Sequence, residues 1–501
     1  MKLKSAVVAA CGVLMSTLSL AGGLPTATPE SQGVDSAAVA RWVDAASAMD
    51  AVHSFVLVRH GKVIAQGAWA PYDLDRPHQL YSHSKSFTST AIGFLVDDGR
   101  LDLDELVCEI FPEKFPSDAD AKMKMLRVRD LLTMNTGFAD SDYPRRRPEE
   151  PDWVKGFFAT PVGVNPGTRY RYDSCATHML AAIVEKRTGK KTMDFLDERL
   201  FRPLGFGEIY SHVSPTGVAC GGWGMYARTP DLAKFGQLYL QEGKWNGAQI
   251  LSRDWVRLAT AKHTMSGFPP ARTPITDWTS GYGFQFWRCR HNAYRADGSH
   301  GQFTIVMPDQ DAVLSTTCCI SDMGKLLQNT WDILLPAMGA APRAENASAC
   351  QALAAKTAAL QLPVVAGEPI AAHALPAQAF KIAENRRGYA SARLETTEKG
   401  PVCHLTVKGV GEQTFSLGSG TWAKSAIYVC DRKRAFEVAG DLLGEQPVSA
   451  SGAWTSPDCL SVKLLFTDQA HRIQLDFVQA DGVWTLKGNH VGLAGCTFKG
   501  R

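Results

Sequence analysis

Residues 82–89 read Ser82-His83-Ser84-Lys85-Ser86-Phe87-Thr88-Ser89, and they begin a segment predicted as a helix over residues 82–98, stopped by Gly99. Ser82 and Lys85 form the only Ser-x-x-Lys spacing in the chain. Because residues three apart share one face of a helix, we expect the Lys85 amine to lie over the Ser82 hydroxyl. The segment would then supply a nucleophile, a base and one backbone N–H for an oxyanion. Taken alone, the spacing also fits a helix cap followed by a solvated lysine.

Strands are predicted on both sides of this helix. A helical pattern at residues 36–47 precedes two β-rich runs at 54–58 and 63–66, which are joined by a hairpin signal. A largely helical section follows over residues 128–251. Strands return at residues 282–288, 294–296, 302–307 and 312–319. We expect the early and late strands to share one sheet, which makes residues 22–343 an α+β domain.

The last third of the chain has a different pattern. An Ala-rich stretch and a Pro- and Ala-rich segment predict a connecting helix and linker over residues 344–376. Short runs of alternating polar and apolar residues follow, separated by Gly, Asp and Pro. They predict a small, antiparallel, all-β domain over residues 377–501.

Charge and the N-terminus limit the classes of partner. The 501 residues carry 53 Lys plus Arg against 50 Asp plus Glu, a balance that does not favour nucleic acid or an anionic membrane as the main partner. Lys2 and Lys4 precede an apolar run at residues 5–20 and small residues near Ala21. This pattern predicts a signal peptide at residues 1–21, hence a periplasmic or extracellular protein without a transmembrane segment after cleavage. The alternative, a membrane anchor, would need a longer apolar run.

The cysteines indicate little on their own. Of the 12 in the chain, Cys11 would leave with the signal peptide. An oxidising compartment would let some of the remainder pair, and bridges between neighbouring strands are plausible in the last third. That third holds Cys350, Cys403, Cys430, Cys459 and Cys496. Cys318 and Cys319 lie in an apolar strand and are expected to be buried thiols. The absence of a Cys-x-x-Cys spacing gives no reason to expect zinc.

Further motifs follow the Ser82 segment in a fixed order. They are Leu131-Leu132-Thr133-Met134-Asn135-Thr136-Gly137, then Pro166-Gly167-Thr168-Arg169-Tyr170-Arg171-Tyr172-Asp173-Ser174, Gly222-Trp223-Gly224-Met225, Asp231-Leu232-Ala233-Lys234-Phe235-Gly236 and Ser299-His300-Gly301-Gln302. This series resembles the serine β-lactamase and penicillin-binding-protein superfamily over roughly residues 30–335. The most similar branch is the class C-like one, which includes carboxylesterases and D-amino-acid-specific peptidases. No Gly-x-Ser-x-Gly is present, which argues against an α/β-hydrolase.

The resemblance implies an antiparallel sheet flanked by helices, beside an all-helical lobe, with the site in the cleft between them. It implies that Ser82 is the acylated nucleophile and that Lys85 accepts its proton or holds the network. Tyr172 would be the second base and the acid that protonates the leaving group, which requires a stabilised phenolate. Ser174 would orient Lys85 and the substrate. No metal or cofactor is implied.

The last motif departs from the family's pattern. Alignment on Gly301 places Ser299 where a basic residue is usual and His300 in the middle. Gly301 is expected to let substrate approach the strand closely, and the Gln302 N–H to complete the oxyanion site with Ser82. His300 could face the cleft or the far side of the sheet, since neighbouring residues alternate. Without a cation at Ser299, a β-lactam carboxylate would be held less well.

The sequence therefore favours an exported serine hydrolase acting on an ester or small amide, or on a peptide substrate. The alternatives are a penicillin-binding D,D-peptidase or β-lactamase, and a non-catalytic member whose cleft binds cell-wall peptide. Small molecules or peptides are the expected partners, and nucleic acid is not.

Overall fold

The computed structural model describes residues 23–140, 149–266, 276–430, 444–492 and 495–501. The predicted signal peptide lies outside these ranges. In chain order the described α-helices are α1 Ser36–Ser47, α2 Ser84–Asp97, α3 Val107–Ile110, α4 Val128–Leu132, α5 Trp153–Phe158, α6 Ser174–Thr188, α7 Thr192–Leu196, α8 Thr229–Leu240, α9 Arg253–Thr260, α10 Met323–Asn329 and α11 Ala347–Ala358.

The strands fall into two groups. Those before α11 are β1 Val52–Arg59, β2 Lys62–Ala68, β3 His78–Gln79, β4 Tyr210–Ser211, β5 Met225–Ala227, β6 Lys244–Trp245, β7 Ala248–Gln249, β8 Trp287–Arg288, β9 Tyr294–Gly298, β10 Gln302–Met307 and β11 Ala312–Cys318. Those after it are β12 Phe380–Lys381, β13 Tyr389–Thr397, β14 Gly400–Val407, β15 Gly411–Ser416, β16 Ala423–Tyr428, β17 Glu445–Ser456, β18 Cys459–Phe466, β19 Arg472–Ala480, β20 Val483–Val491 and β21 Cys496–Gly500.

The main sheet joins the two ends of the first region. Its antiparallel strands run in the order β2-β1-β11-β10-β9-β8, with Leu57 opposite Leu314. Successive side chains of a strand point to opposite faces. Val56 therefore packs in the core that includes α2 and α8, whereas Phe55 packs in the core that includes α1. The predicted α+β fold with a sheet between helices is confirmed.

The section predicted as helical also contains short strands. β3, β5 and β4 form a small sheet, in which Gln79 of β3 lies opposite Tyr226 of β5. Helices α4, α5 and α6 pack together, and α2 packs on α6. The small sheet therefore joins the helical section, which supplies β4 and β5, to the segment that leads into α2, which supplies β3.

Two predicted elements have different limits in the structure. Helix α2 begins at Ser84, and a 3-10 turn over Tyr81–His83 precedes it, so Ser82 lies in the tighter turn. The predicted strand at 282–288 is reduced to β8. Gln285 interrupts it with φ of 64° while its side chain amide donates to the carbonyl oxygens of Leu131 and Leu132. The backbone N–H groups of Phe284 and Gln285 donate to Ala259 O and Leu132 O, outside the main sheet, so the strand is not continuous there.

The last region is antiparallel, as predicted. The strands form sheets in the orders β12-β13-β14-β15 and β16-β17-β18-β19-β20-β21. The backbone N–H of Lys381 donates to Arg501 O, and that of Ala383 donates to Lys499 O, so β12 lies beside β21. A shared core of apolar side chains, including Phe380 and Phe477, fills the space between the sheets. The domain limits at residues 343 and 376 stay a prediction.

No disulfide links Cys350, Cys403, Cys459 or Cys496 in the part of the chain that the structure describes, so the suggested bridges among them are not formed. Cys318 and its neighbour Cys319 are buried, as expected for thiols in an apolar strand, and burial raises the pKa of Cys319 to about 12. Across the described ranges, no helix has both the length and the apolar character that a membrane crossing requires.

Candidate active site

Ser82 lies at a constrained turn between the small sheet and α2. The residue before it, Tyr81, has φ of 49°, a backbone conformation that residues other than glycine seldom adopt. The turn is fixed on both sides, because Leu80 N donates to Met225 O and His83 N donates to Leu80 O. Its neighbours are buried, whereas Ser82 is partly exposed. The turn therefore presents the Ser82 hydroxyl to solvent from a rigid base.

Lys85 links the separate parts of the site. Its side chain is only 1% exposed, and its Nζ donates to Ser82 Oγ at 3.1 Å, to Ser174 Oγ at 3.1 Å and to Gly222 O at 2.6 Å. All three acceptors are oxygens, which suits the N–H donors of an ammonium group. The structure thus brings together Ser82, Lys85 and Ser174.

Gly222 also belongs to the site, although no role was predicted for it. Its carbonyl oxygen makes the shortest of the three contacts to Lys85. A Cβ at this position would lie 2.5 Å from Ser174 O, so only glycine allows the loop to come this close to α6. The Gly-Trp-Gly pattern was the available signal, but it did not indicate which backbone atom would be used.

Tyr172 approaches Lys85 from the segment before α6. The Lys85 Nζ lies 4.8 Å from the centroid of the Tyr172 ring, a cation–π geometry. The ring stacks on Trp287 of β8 with a centroid separation of 5.7 Å and an interplanar angle of 27°. Tyr282 meets the same ring edge-on at 6.3 Å. Aromatic contacts from the far end of the sheet thus fix the position of Tyr172, and the sequence did not single out Trp287.

The loop motif at residues 131–137 holds the Tyr172 segment in place. Met134 accepts from Arg171 N through its carbonyl oxygen, and its Sδ accepts from Asp173 N. Asp173 in turn caps α6 by accepting from Cys175 N at 2.8 Å. The residues on either side of Tyr172 are therefore fixed to the backbone.

The motif at residues 299–302 forms the hairpin turn between β9 and β10. Gly301 N donates to Gly298 O, and His300 takes φ of 66°. A Cβ on Gly298 would lie 2.0 Å from Leu80 O, so this glycine lets β9 contact the Ser82 turn. A Cβ on Gly301 would instead meet Ile320 at 2.8 Å. Gly301 is thus closely packed against Ile320 on that side, and its part in substrate approach stays a prediction.

His300 and Gln302 are both engaged within the protein. His300 Nδ1 lies 3.2 Å from Ile320 O, and its ring meets that of Tyr81 edge-on. Gln302 is wholly buried; its Nε2 donates to Ser299 O and Cys318 O, and its Oε1 accepts from Cys318 N. Gln302 therefore braces the turn, and a fully buried residue does not present its N–H to substrate. Ser299 is partly exposed at the same turn.

Two histidines near the motifs are structural. His83 Nε2 lies 2.8 Å from Thr304 Oγ1, and burial lowers the pKa of His83 to about 3. His178 Nδ1 lies 3.0 Å from Ala219 O, and burial lowers the pKa of His178 to about 4. Both rings are neutral at physiological pH, and both are packed in the core.

A possible metal-ligand grouping lies elsewhere. Within the described ranges, Glu30, Glu345 and Cys350 are the three potential ligands that come together, and none of them surrounds Ser82. Cys350 Sγ donates to Glu30 Oε2 at 2.9 Å, and Glu345 accepts from Thr28 Oγ1. Hydrogen bonds within the fold therefore account for this grouping.

Comparisons with known proteins identify the family of the chain. The family model described as Beta-lactamase matches residues 39–322, which is more than half of the chain. The chain is 27% identical over 278 residues to a 6-aminohexanoate-dimer hydrolase of Paenarthrobacter ureafaciens, covering 52% of this chain and 71% of that protein. It is 25% identical over 178 residues to an Escherichia coli (strain K12) protein named as a D-alanyl-D-alanine carboxypeptidase, covering 30% of this chain and 41% of that protein.

Among solved structures, the octameric penicillin-binding protein homologue from Pyrococcus abyssi is 15% identical, with a TM-score of 0.47. That similarity covers 92% of this chain and 99% of the other. The family match spans the Ser82 turn, the Tyr172 segment and the hairpin at Ser299. The chain belongs to the beta-lactamase family, whose members are serine hydrolases.

Proposed function

We propose that this chain is a serine hydrolase that forms an acyl-enzyme on Ser82 and hydrolyses an ester or a small amide. The observation that carries the proposal is the buried Lys85 amine, 3.1 Å from Ser82 Oγ and 3.1 Å from Ser174 Oγ. A solvated lysine at a helix cap would not be 1% exposed with three protein acceptors. The simple capping alternative is therefore disfavoured.

The proposed reaction has two steps. In the first, Ser82 Oγ bonds to the carbonyl carbon of the substrate and the hydroxyl proton passes to the oxygen of Tyr172. The carbon–oxygen or carbon–nitrogen bond then breaks, and the leaving group takes that proton. In the second step, water attacks the acyl carbon and Tyr172 accepts the water's proton. Tyr172 then returns a proton to Ser82 as the acyl group leaves.

Lys85 is suited to an electrostatic part in this reaction. As an ammonium group, Lys85 donates to the oxygens of Ser82, Ser174 and Gly222. The Lys85 Nζ lies 4.8 Å from the centroid of the Tyr172 ring, where a positive charge attracts negative charge on that side chain. We therefore assign the proton transfer to Tyr172 and the stabilisation of its anion to Lys85.

Substrate preference follows from the hairpin at residues 299–302. Ser299 supplies no cation for a substrate carboxylate, and His300 is engaged by Ile320 O and the Tyr81 ring. Neutral esters and amides are thus favoured over β-lactams. The similarity to a 6-aminohexanoate-dimer hydrolase adds a linear amide to the candidate substrates. The similarity to a protein named as a D-alanyl-D-alanine carboxypeptidase supports cell-wall peptide as the second candidate.

The test combines labelling with a substrate panel. The purified protein should react with a fluorophosphonate probe and hydrolyse p-nitrophenyl acetate, and Ser82→Ala should abolish both. A panel of short-chain esters, D-aminoacyl amides, 6-aminohexanoate dimer and penicillin then ranks the substrates. Labelling that persists in Ser82→Ala contradicts the assignment. A penicillin adduct on Ser82 without ester turnover supports the non-catalytic binding alternative.

We also propose that the protein is exported, with residues 1–21 as its signal peptide. The support is the Lys2 and Lys4 charge followed by a short apolar run. Expression of the full chain with a C-terminal tag should yield periplasmic or secreted protein whose N-terminus, by Edman sequencing, begins near residue 22. Uncleaved protein in the cytosol would refute this proposal.

A further inference from the structure

The segment that carries Ser82 contacts the last region of the chain directly. The turn between β18 and β19, residues 467–471, reaches β3, and we call it the docking turn. Gln79 pairs with Tyr226 on β5, but its own N–H donates to Asp468 O at 2.8 Å. Gln79 is three residues before Ser82. Asp468, which is about 390 residues further along the chain, thus completes the hydrogen bonding of the strand that leads into the nucleophile.

The docking turn is buried as deeply as a core element. Asp468 is 9% exposed, and Gln469, Ala470 and His471 are at most 1% exposed. Ala470 belongs to the same apolar core as Tyr81, the residue with the left-handed backbone next to Ser82. A strained backbone conformation persists only where the surroundings hold it in place. The packing around Tyr81 therefore includes the C-terminal region.

Other contacts hold the turn against the first region. Arg472, immediately after the turn, donates through Nη1 to Asp50 O at 3.2 Å, and Lys463 on β18 forms an ion pair with the Asp50 carboxylate at 3.2 Å. Asp50 lies at the start of the loop into β1. The docking turn is thus anchored both at the main sheet and at the strand before Ser82.

We propose that the docking turn is a working part of the hydrolase site, with Asp468 as a positioning residue for the segment that carries Ser82. This inference rests on the proposed function. It differs from a role in shielding the cleft, because displacement of the turn should slow acylation of Ser82 by every reagent. A shield would change only which substrates enter.

The Asp468 side chain provides a way to perturb the turn without changing its shape. Its Oδ1 is buried and has no hydrogen-bond partner, and the same is true of Oε1 of Gln79. Burial raises the pKa of Asp468 to about 7, so the carboxyl is neutral in mild acid and becomes a buried anion in mild base. A buried anion with an unpaired oxygen favours movement of the turn towards water.

The charged and titratable groups around Asp468 come from several elements. Arg76, before β3, opposes the rise in its pKa. Tyr72 and Tyr210 interact electrostatically with Asp468 itself. The groups that interact with its neighbours include His53, His78, Glu208, Cys319, His471 and Arg472. Burial lowers the pKa of His78 to about 4, so this histidine is neutral across the range in which Asp468 titrates. Burial raises the pKa values of Tyr72, Tyr210 and Cys319 far above that range.

The experiment measures the second-order rate of fluorophosphonate labelling of the full-length protein from pH 5.5 to 9. Asp468→Asn keeps the shape of the side chain and removes its titration. We expect its labelling rate to equal that of the wild type at pH 5.5 and to exceed it at least threefold at pH 9. Asp468→Lys, which forces a cation into the site, should label at least tenfold more slowly at every pH.

The matched controls are Asp481→Asn and Asp481→Lys, in the exposed turn between β19 and β20 of the same region. Both should label at the wild-type rate. If Asp468→Lys does not fold, as judged by circular dichroism, the Asp468→Asn ratio across pH decides the outcome. A ratio that stays at one, with Ser82 labelled normally in the wild type, overturns this inference and leaves the proposed function intact. Absence of labelling in the wild type overturns the proposed function instead.

Discussion

Removal of one acceptor from the Lys85 ammonium should slow acylation. In Ser174→Ala, the Oγ that accepts from Lys85 Nζ at 3.1 Å is lost, and the 1% exposed cation loses one of its protein acceptors. A hydrogen bond to a charged group is worth about 1.5–3 kcal/mol. Each ~1.4 kcal/mol in the barrier is tenfold in rate, so kcat/KM for p-nitrophenyl acetate should fall about 10- to 100-fold.

The control for this variant is Ser89→Ala, one helical turn beyond Lys85 on α2. Ser89 Oγ donates to Phe284 O at 2.8 Å in the core and does not contact the ammonium. Its loss should lower stability by about 1 kcal/mol and leave kcat/KM within twofold. Ser174→Asn, whose amide oxygen can accept from Lys85, should recover part of the activity. Wild-type kcat/KM in Ser174→Ala, with an unchanged pH profile, would refute the assigned role of Ser174.

Three further outcomes follow from the same geometry. Gly222→Ala should lower the labelling rate at least tenfold while the protein stays folded. The new Cβ would lie 2.5 Å from Ser174 O and would shift the carbonyl that binds Lys85. Normal labelling would show that the loop adapts. Trp287→Leu removes the ring stacked on Tyr172 and should lower kcat about fivefold with little change in KM, as expected for ~1 kcal/mol of aromatic packing; a change in KM alone would contradict this. The pKa of His83 is about 3 in the folded state and about 6.5 in the unfolded state, so the unfolded state binds the proton first as the pH falls. The free energy of unfolding should therefore fall by on the order of 4 kcal/mol between pH 6.5 and pH 3. If the urea midpoint of His83→Gln depends on pH as strongly as that of the wild type, this residue is not the cause.

The sequence predicted those parts of the site that depend on local spacing. Ser82 and Lys85 are three residues apart, and a helical turn of either the α or the 3-10 type keeps such residues on one side, so their approach survived the error in where α2 begins. The early and late strands could be placed in one sheet because each was short, apolar and bounded by turn residues.

The parts that the sequence did not predict depend on contacts between distant segments. The carbonyl of Gly222 and the ring of Trp287 enter the site from loops whose path the local pattern does not determine. Alignment on Gly301 assigned the Gln302 N–H to the oxyanion site, but it did not indicate that the hairpin turns at His300 with a positive φ or that the buried Gln302 side chain braces that turn. Propensity rules do not account for such long-range contacts.

The pairing of β1 with β11 has a consequence for how the chain folds. β1 ends at Arg59, and the partner strand that covers one of its edges does not begin until Ala312. Every residue of β1 is buried in the finished protein, but while the intervening 252 residues are being synthesised β1 has only β2 beside it. Contacts this far apart in sequence close slowly, and an open apolar edge invites aggregation. Fragments that stop short of β11 should therefore be insoluble, and nascent chains should depend on holding chaperones until that strand emerges.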